Sequence, residues 1–174
     1  MKINQVNFSY NQLEDRLLFR FNTQDKTEFR MWLTRAMSLK LLDRLYQVAK
    51  TSLLRETPGL MAVDMDALME FRREAVLSKA DYAQSFSAEA ESFPLGAQPL
   101  LVADVVVDTS KPVSVVTFQL SSGQAVSLSV NHDLGFAIGR LLSGVMNGLD
   151  WGAGMMKELP LASVADLGEK MMLH

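Results

Sequence analysis

The segment VNFSYNQLEDRLLFRFNTQDKTEFRMWL, residues 6–33, decides the fold of the first half of this chain. Three short runs within it alternate apolar and polar residues, and their apolar members are Val6, Phe8 and Tyr10, then Leu17, Phe19 and Phe21, then Phe29, Met31 and Leu33. A period of two is typical of strands with one buried face. Polar residues at 11–15 and 22–26 separate the runs, so we predict an antiparallel three-stranded meander.

A helix is predicted directly after the third strand. Thr34 offers a side-chain oxygen as N-cap, and the apolar residues that follow at helical spacing are Met37, Leu41, Leu45 and Val48. A helical period of this kind indicates one buried face. Pro58-Gly59 should end the helix.

The same pattern returns 97 positions later without a gap. The three strand runs then carry Ala103, Val105 and Val107, Val116 and Phe118, and Val126, Leu128 and Val130. Asn131, another preferred N-cap residue, takes the place of Thr34, and the helical stripe becomes Leu134, Ile138, Leu142 and Val145. Leu17 aligns with Ser114, which breaks the pattern. The sequence therefore predicts a duplicated strand-strand-strand-helix unit.

We predict an α+β fold in which two pseudo-symmetric βββα repeats pack as one domain about a pseudo-two-fold axis, because neither meander can bury its apolar face alone. The predicted bounds are 3–57 for the first repeat, 58–99 for a helical insert and loop, 100–151 for the second repeat and 152–174 for a helical tail. Residues 60–86 form the helical part of the insert. The tail carries Leu161, Val164, Leu167 and Met171 at helical spacing.

Composition limits the classes of function. The 174 residues are 48% hydrophobic with a net charge of −3, which is typical of a globular protein and weighs against a basic, duplex-binding one. The lack of cysteine excludes disulfides, thiolate metal sites and Cys nucleophiles. The N-terminus has no apolar run of the kind found in secretory signals, so we expect a cytoplasmic protein. Residues 134–149 are apolar but contain Arg140 and Asn147, and we interpret them as a buried helix rather than a membrane span.

The outward sheet face of the first repeat is predicted to carry three arginines and a tryptophan. Alternation places Arg16, Arg20, Arg30 and Trp32 on the side opposite the core. Lys and Arg outnumber Asp and Glu by ten to six through Thr57, whereas the remainder has seven against fourteen. Guanidinium groups for phosphates and an aromatic ring for base stacking are what a single-stranded nucleic-acid platform uses. The alternative is an ordinary solvated sheet face.

The outward face of the second repeat has no cation. It is assigned the residues Val102, Asp104, Val106, Asp108, Val113, Val115, Thr117, Gln119, Ser127 and Ser129. Strands that are apolar on both sides are normally covered on both sides, so we expect a helix or another subunit over the valines. Self-association into a homo-oligomer is the resulting expectation.

No catalytic or metal-binding pattern stands out. His132 follows the N-cap Asn131 and is expected to be a surface residue in the first helical turn. Asp64, Asp66 and Glu70 lack the glycine and final glutamate of a calcium loop, and residues 121–124 form a hairpin turn rather than a phosphate loop. The sequence thus predicts a non-enzymatic protein without cofactor, metal or membrane partner.

Two consecutive units of meander plus helix, over residues 3–54 and 100–151, resemble in topology the Whirly-type single-stranded-DNA-binding proteins and their small bacterial relatives of unknown function. Whirly repeats have four strands per unit and a lysine-rich strand motif, neither of which is present here. The resemblance implies a fold and no site residue. Two functions remain open: binding of single-stranded nucleic acid through the first sheet face, or a structural or adaptor role in protein–protein interaction.

Overall fold

A computed structural model describes residues 2–59, 62–77, 86, 90–149 and 151. The elements are β1 (Ile3–Asn11), β2 (Arg16–Thr23), β3 (Glu28–Leu33), α1 (Arg35–Glu56), α2 (Ala62–Leu77), β4 (Leu100–Asp108), β5 (Ser114–Leu120), β6 (Ala125–Val130) and α3 (His132–Asn147). The predicted α+β class is confirmed. The insert is helical over 62–77, while the predicted tail, with His174, lies outside the described residues.

The six strands form one sheet in the order β1-β2-β3-β4-β5-β6. Neighbours within each set of three are antiparallel, as the short polar turns predict. The two sets join through a short parallel contact, Met31 with Leu100 and Trp32 with Leu101. Phe8 pairs with Phe19 in the first set, and Val105 pairs with Phe118 in the second.

The predicted pseudo-two-fold relation between the two units stays a prediction. β3 and β4 are parallel, and the apolar stripes of α1 and α3 enter the same core cluster. α1 packs against β4, the first strand of the second unit, and α3 packs against β1, the first strand of the first unit. The helix of each unit therefore lies against the first strand of the other.

Both helices that follow a meander start at a side-chain cap. The Thr34 hydroxyl accepts from the backbone N–H of Met37, and the Asn131 side chain accepts from that of Leu134. These contacts satisfy backbone donors that the first helical turn leaves free. The two caps lie at equivalent places in the sequence pattern, so local signals determined both helix starts.

The sheet bends around its core. Two strands separate β2 from β5, which is about 14 Å on a flat sheet, yet the rings of Phe19 and Phe118 lie 5.4 Å apart, centroid to centroid. Phe8 stacks on Phe19 at 4.6 Å. The larger core cluster is thus shared by both meanders, α1 and α3.

Helix α1 lies along β4 and is held at both ends. Lys40, in the second turn of α1, forms an ion pair with Asp104 at the middle of the strand. Arg55 donates to the carbonyl oxygens of Thr109, Lys111 and Pro112 in the loop after it. The hydrogen bond from Lys40, together with one from the Val105 backbone, lowers the pKa of the Asp104 carboxyl below its ordinary value.

The chain after α3 returns to the first hairpin. Trp151 is buried, packs edge-on against Tyr10 and donates from Nε1 to Asp15 at 3.1 Å. Tyr10 donates to the same carboxylate, and this hydrogen bond raises the pKa of its phenol. No helix within the described ranges is long and apolar enough to cross a membrane.

Candidate binding surfaces

The outward face of β1–β3 contains a cross-strand polar cluster. Arg20 lies directly opposite Arg30, and Asn22 lies opposite Glu28. The Glu28 side chain is fully buried, and its Oε1 accepts from Arg30 Nε at 2.7 Å. Arg20 donates to the Asn7 side chain at 3.2 Å. Alternation alone places Glu28 on the outward face of a strand and does not indicate that it is buried. Its burial depends on the chain segments that cover this face.

Residues 91–97 provide much of that cover. Ser92 forms a parallel bridge with Thr27, and Glu28 N–H donates to the Ser92 carbonyl at 2.9 Å. Because Leu100 pairs with Met31, the chain uses eight residues from Ser92 to advance four along β3. The additional residues form a loop against the outward face of β3.

The loop binds Arg30 through two contacts. Its guanidinium lies 4.6 Å from the Phe93 ring centroid and donates to the Ala97 carbonyl at 3.1 Å. The Arg20 guanidinium is likewise 4.5 Å from the Phe86 ring centroid. Sequence reasoning did not assign Phe86 or Phe93 to this face, since neither belongs to a periodic pattern.

Arg16 and Trp32 complete the predicted set. Arg16 lies on the same sheet face, and its guanidinium is 3.5 Å from the Glu14 carboxylate in a partly exposed pair. Trp32 is half-buried opposite Leu18. The structure therefore brings all four predicted residues to one face, with Arg20 and Arg30 in the middle engaged by the chain's own aromatic and polar groups.

The outward face of β4–β6 differs from its prediction at two points. Val102 was expected there but is 2% exposed, because a bulge between Val102 and Asp104 reverses the alternation. Ala103, expected in the core, is exposed instead. One extra residue in a strand reverses the sides of its neighbours.

Two of the remaining valines of this face are left exposed by the described part of the chain. Val106 is 43% and Val113 is 48% exposed, and Val115 lies between them by register, opposite Asp108. Ser127 and Ser129 continue the same face on β6 and are exposed. We call Val106, Val113, Val115, Thr117, Ser127 and Ser129 the valine face. It has no lysine or arginine.

His132 is not the surface residue that the sequence suggested. It is 9% exposed, with Nδ1 at 3.1 Å from Glu56 and Nε2 at 3.0 Å from Asp133. Glu56 also lies 4.0 Å from Arg72 of α2. The imidazole is buried because the end of α1 packs over the start of α3. This geometry joins the two helices at their ends.

Within the described residues, no three His, Asp or Glu side chains are placed to hold a metal ion. The side chains of Asp64 and Asp66 lie outside the described set, and Glu70 is exposed. The helical setting of all three residues within α2 differs from a calcium-binding loop.

No family model matches this chain, and no curated protein or solved structure shows significant similarity to it. The topological resemblance to Whirly-type proteins stays a prediction.

Proposed function

We propose that this protein is a non-enzymatic interaction module that self-associates through the outer surface of β4–β6. The observation that carries the proposal is the exposure of Val106 and Val113 within a face that contains no cation. Contiguous exposed apolar residues on a folded protein are typical of protein-binding surfaces. The cationic face of β1–β3 is, by contrast, occupied in part by residues 86 and 91–97 of the same chain.

We further propose that the two meander-helix units are structural repeats. The register of β2 with β3 recurs 97 residues later between β5 and β6, and the helix caps Thr34 and Asn131 have the same offset, which supports this interpretation. The register of β4 with β5 is shifted by two residues relative to that of β1 with β2. The bulges do not coincide, since one follows Ile3 and the other follows Val102. Loss of positive charge and gain of valine on the second unit's outer face would then be a specialisation of one copy for protein contact.

The absence of native cysteine provides a direct test of the surface. A nitroxide is attached to Gln119→Cys on the outer face of β5 and, as a matched control, to Gln12→Cys in the β1–β2 turn; both positions are exposed. At high protein concentration we expect the dipolar distance between labels on two copies to be shorter at position 119 than at position 12. A shorter distance at position 12, or no dipolar coupling at either position, would contradict the proposal.

A second candidate function is binding of single-stranded nucleic acid by the β1–β3 face. Its specific support is the facing pair Arg20 and Arg30 with Trp32 two residues further along β3. Such binding would require the loop at 91–97 to leave Arg30, because Phe93 and the Ala97 carbonyl occupy its guanidinium.

Fluorescence-anisotropy titration of single-stranded DNA and RNA at two salt concentrations tests this candidate. It predicts affinity that falls steeply with salt and a loss of about 1–3 kcal/mol for Trp32→Ala through lost base stacking. Arg16→Ala is the suitable cation variant, since Arg16 makes only a partly exposed ion pair among the described contacts. Absence of binding at low salt would exclude the candidate.

A further inference from the structure

β6 is an edge strand with few of the devices that normally protect an edge. Its six residues, AVSLSV, include no charge and no proline. Its register with β5 is continuous, without a bulge. Edge strands in monomeric proteins are usually blunted by charged side chains, proline or bulges, because their free N–H and C=O groups can pair with another chain.

The register identifies which backbone groups are free. Leu120 N–H donates to the Gln124 carbonyl at the hairpin turn, so hydrogen-bonded pairs recur at every second residue along β5 and β6. Val126, Leu128 and Val130 therefore direct their N–H and C=O groups toward β5. Those of Ala125, Ser127 and Ser129 point away from it, to the edge of the sheet.

The opposite edge is better protected. β1 has a register shift between Ile3 and Gln5, and α3 packs against it. Trp151 also covers Tyr10 near the end of this strand. In the described ranges no seventh strand pairs with β6.

We propose that β6 pairs antiparallel with β6 of a second copy, which extends the sheet across a two-fold axis. The proposal rests on the proposed function and names the contact that produces self-association. A two-fold axis pairs the strand with an identical strand, so any charged side chain near the centre of the strand would lie close to the same charge on the other copy. β6 has none.

The side chains of β6 suit such pairing. The outward N–H and C=O groups belong to odd-numbered residues, so an odd-numbered residue of one copy must pair with an odd-numbered residue of the other. The two-fold axis then passes through Ser127 or Leu128. Either register places serine opposite serine or alanine on the outer face, and Val126, Leu128 or Val130 opposite one another on the inner face. The two valine faces then lie side by side on one surface.

Six paired residues form a smaller contact than the roughly 800 Å² per partner of a standard interface. The dimer should accordingly be weak and depend on concentration. Every substitution is present in both copies of a two-fold dimer, so removal of one outward donor from the sequence removes two hydrogen bonds from the contact.

Ser127→Pro removes an outward N–H while leaving the ladder to β5 intact, and Ser127→Ala is the matched control for the hydroxyl that contacts Thr117. We expect the dimer dissociation constant, measured by sedimentation, to rise by about tenfold or more for Ser127→Pro, because hydrogen bonds contribute about 0.5–1.5 kcal/mol each. Ser127→Ala should change it by less than about threefold. Equal dissociation constants for Ser127→Pro and the wild type would overturn the proposal.

Amide hydrogen exchange of the wild-type chain gives a test that no variant can confound. The N–H groups of Ser127 and Ser129 should exchange rapidly at low concentration and become protected at high concentration. Protection that is the same at every concentration would mean that another part of the chain covers β6 and would overturn the proposal, as would the absence of protection at high concentration. If labels at position 119 still approach one another in that case, self-association stands and only the β6 pairing fails.

Discussion

Replacement of Phe118 by alanine is expected to lower the free energy of unfolding by about 3–5 kcal/mol, the range typical of a buried phenylalanine. Phe118 is 1% exposed, and its ring contacts Phe19 across the bend of the sheet at 5.4 Å. The substitution would open a cavity at the place where the two meanders share their core. Urea denaturation followed by circular dichroism measures the change.

Phe71→Ala is the matched control, because Phe71 is 67% exposed on α2. It should change the free energy of unfolding by no more than about 0.5 kcal/mol. Similar losses for the two variants would contradict the assignment of Phe118 to a common core.

Removal of the Arg30 guanidinium should also be costly. Arg30→Met leaves the Glu28 carboxylate buried without its partner, and we expect a loss of about 3 kcal/mol in unfolding free energy, since breaking one side of a buried pair typically costs about 3–5 kcal/mol. Arg30 is 27% exposed at the side chain, whereas Glu28 is fully buried. The loss of contacts to Phe93 and Ala97 acts in the same direction.

A double-mutant cycle with Glu28→Gln separates these contributions. If the ion pair dominates, Arg30→Met should cost much less in the Glu28→Gln background than in the wild type. Arg16→Met, which breaks a partly exposed pair with Glu14, should cost at most about 1 kcal/mol. An Arg30→Met loss no larger than that of Arg16→Met would show that the Glu28 carboxylate does not depend on Arg30.

The strands and helix starts could be predicted because their causes are local. Phe19, Phe21 and Met31 belong to runs in which an apolar residue recurs at every second position, and Thr34 and Asn131 each cap a helix from within the same few residues. Such patterns survive in any tertiary arrangement that buries one face. They identified the meanders and the α+β class.

The features that were mispredicted, or that the sequence did not indicate at all, depend on contacts between distant residues. The bulge at Ala103 adds one residue to β4 without a glycine or proline to mark it. The parallel contact of β3 with β4 depends on how the insert returns to the sheet. His132 is buried by the end of α1, which is far away in sequence.

The candidate site was predicted only in part for the same reason. Alternation placed Arg16, Arg20, Arg30 and Trp32 on one face, as the structure has them. It could not show that Phe93, in a loop with proline and glycine, would pack on Arg30. The sequence did contain one indication of the ion pair, because Glu28 and Arg30 have opposite charges and lie two residues apart on the same side of a strand.

The central claim is that this chain associates with itself, and sedimentation equilibrium of the unmodified protein over a wide range of concentrations measures it most directly. We predict a weight-average mass that equals the 19.4 kDa of one chain at low concentration and rises toward twice that value at high concentration. A mass that stays at 19.4 kDa at every concentration would contradict the account.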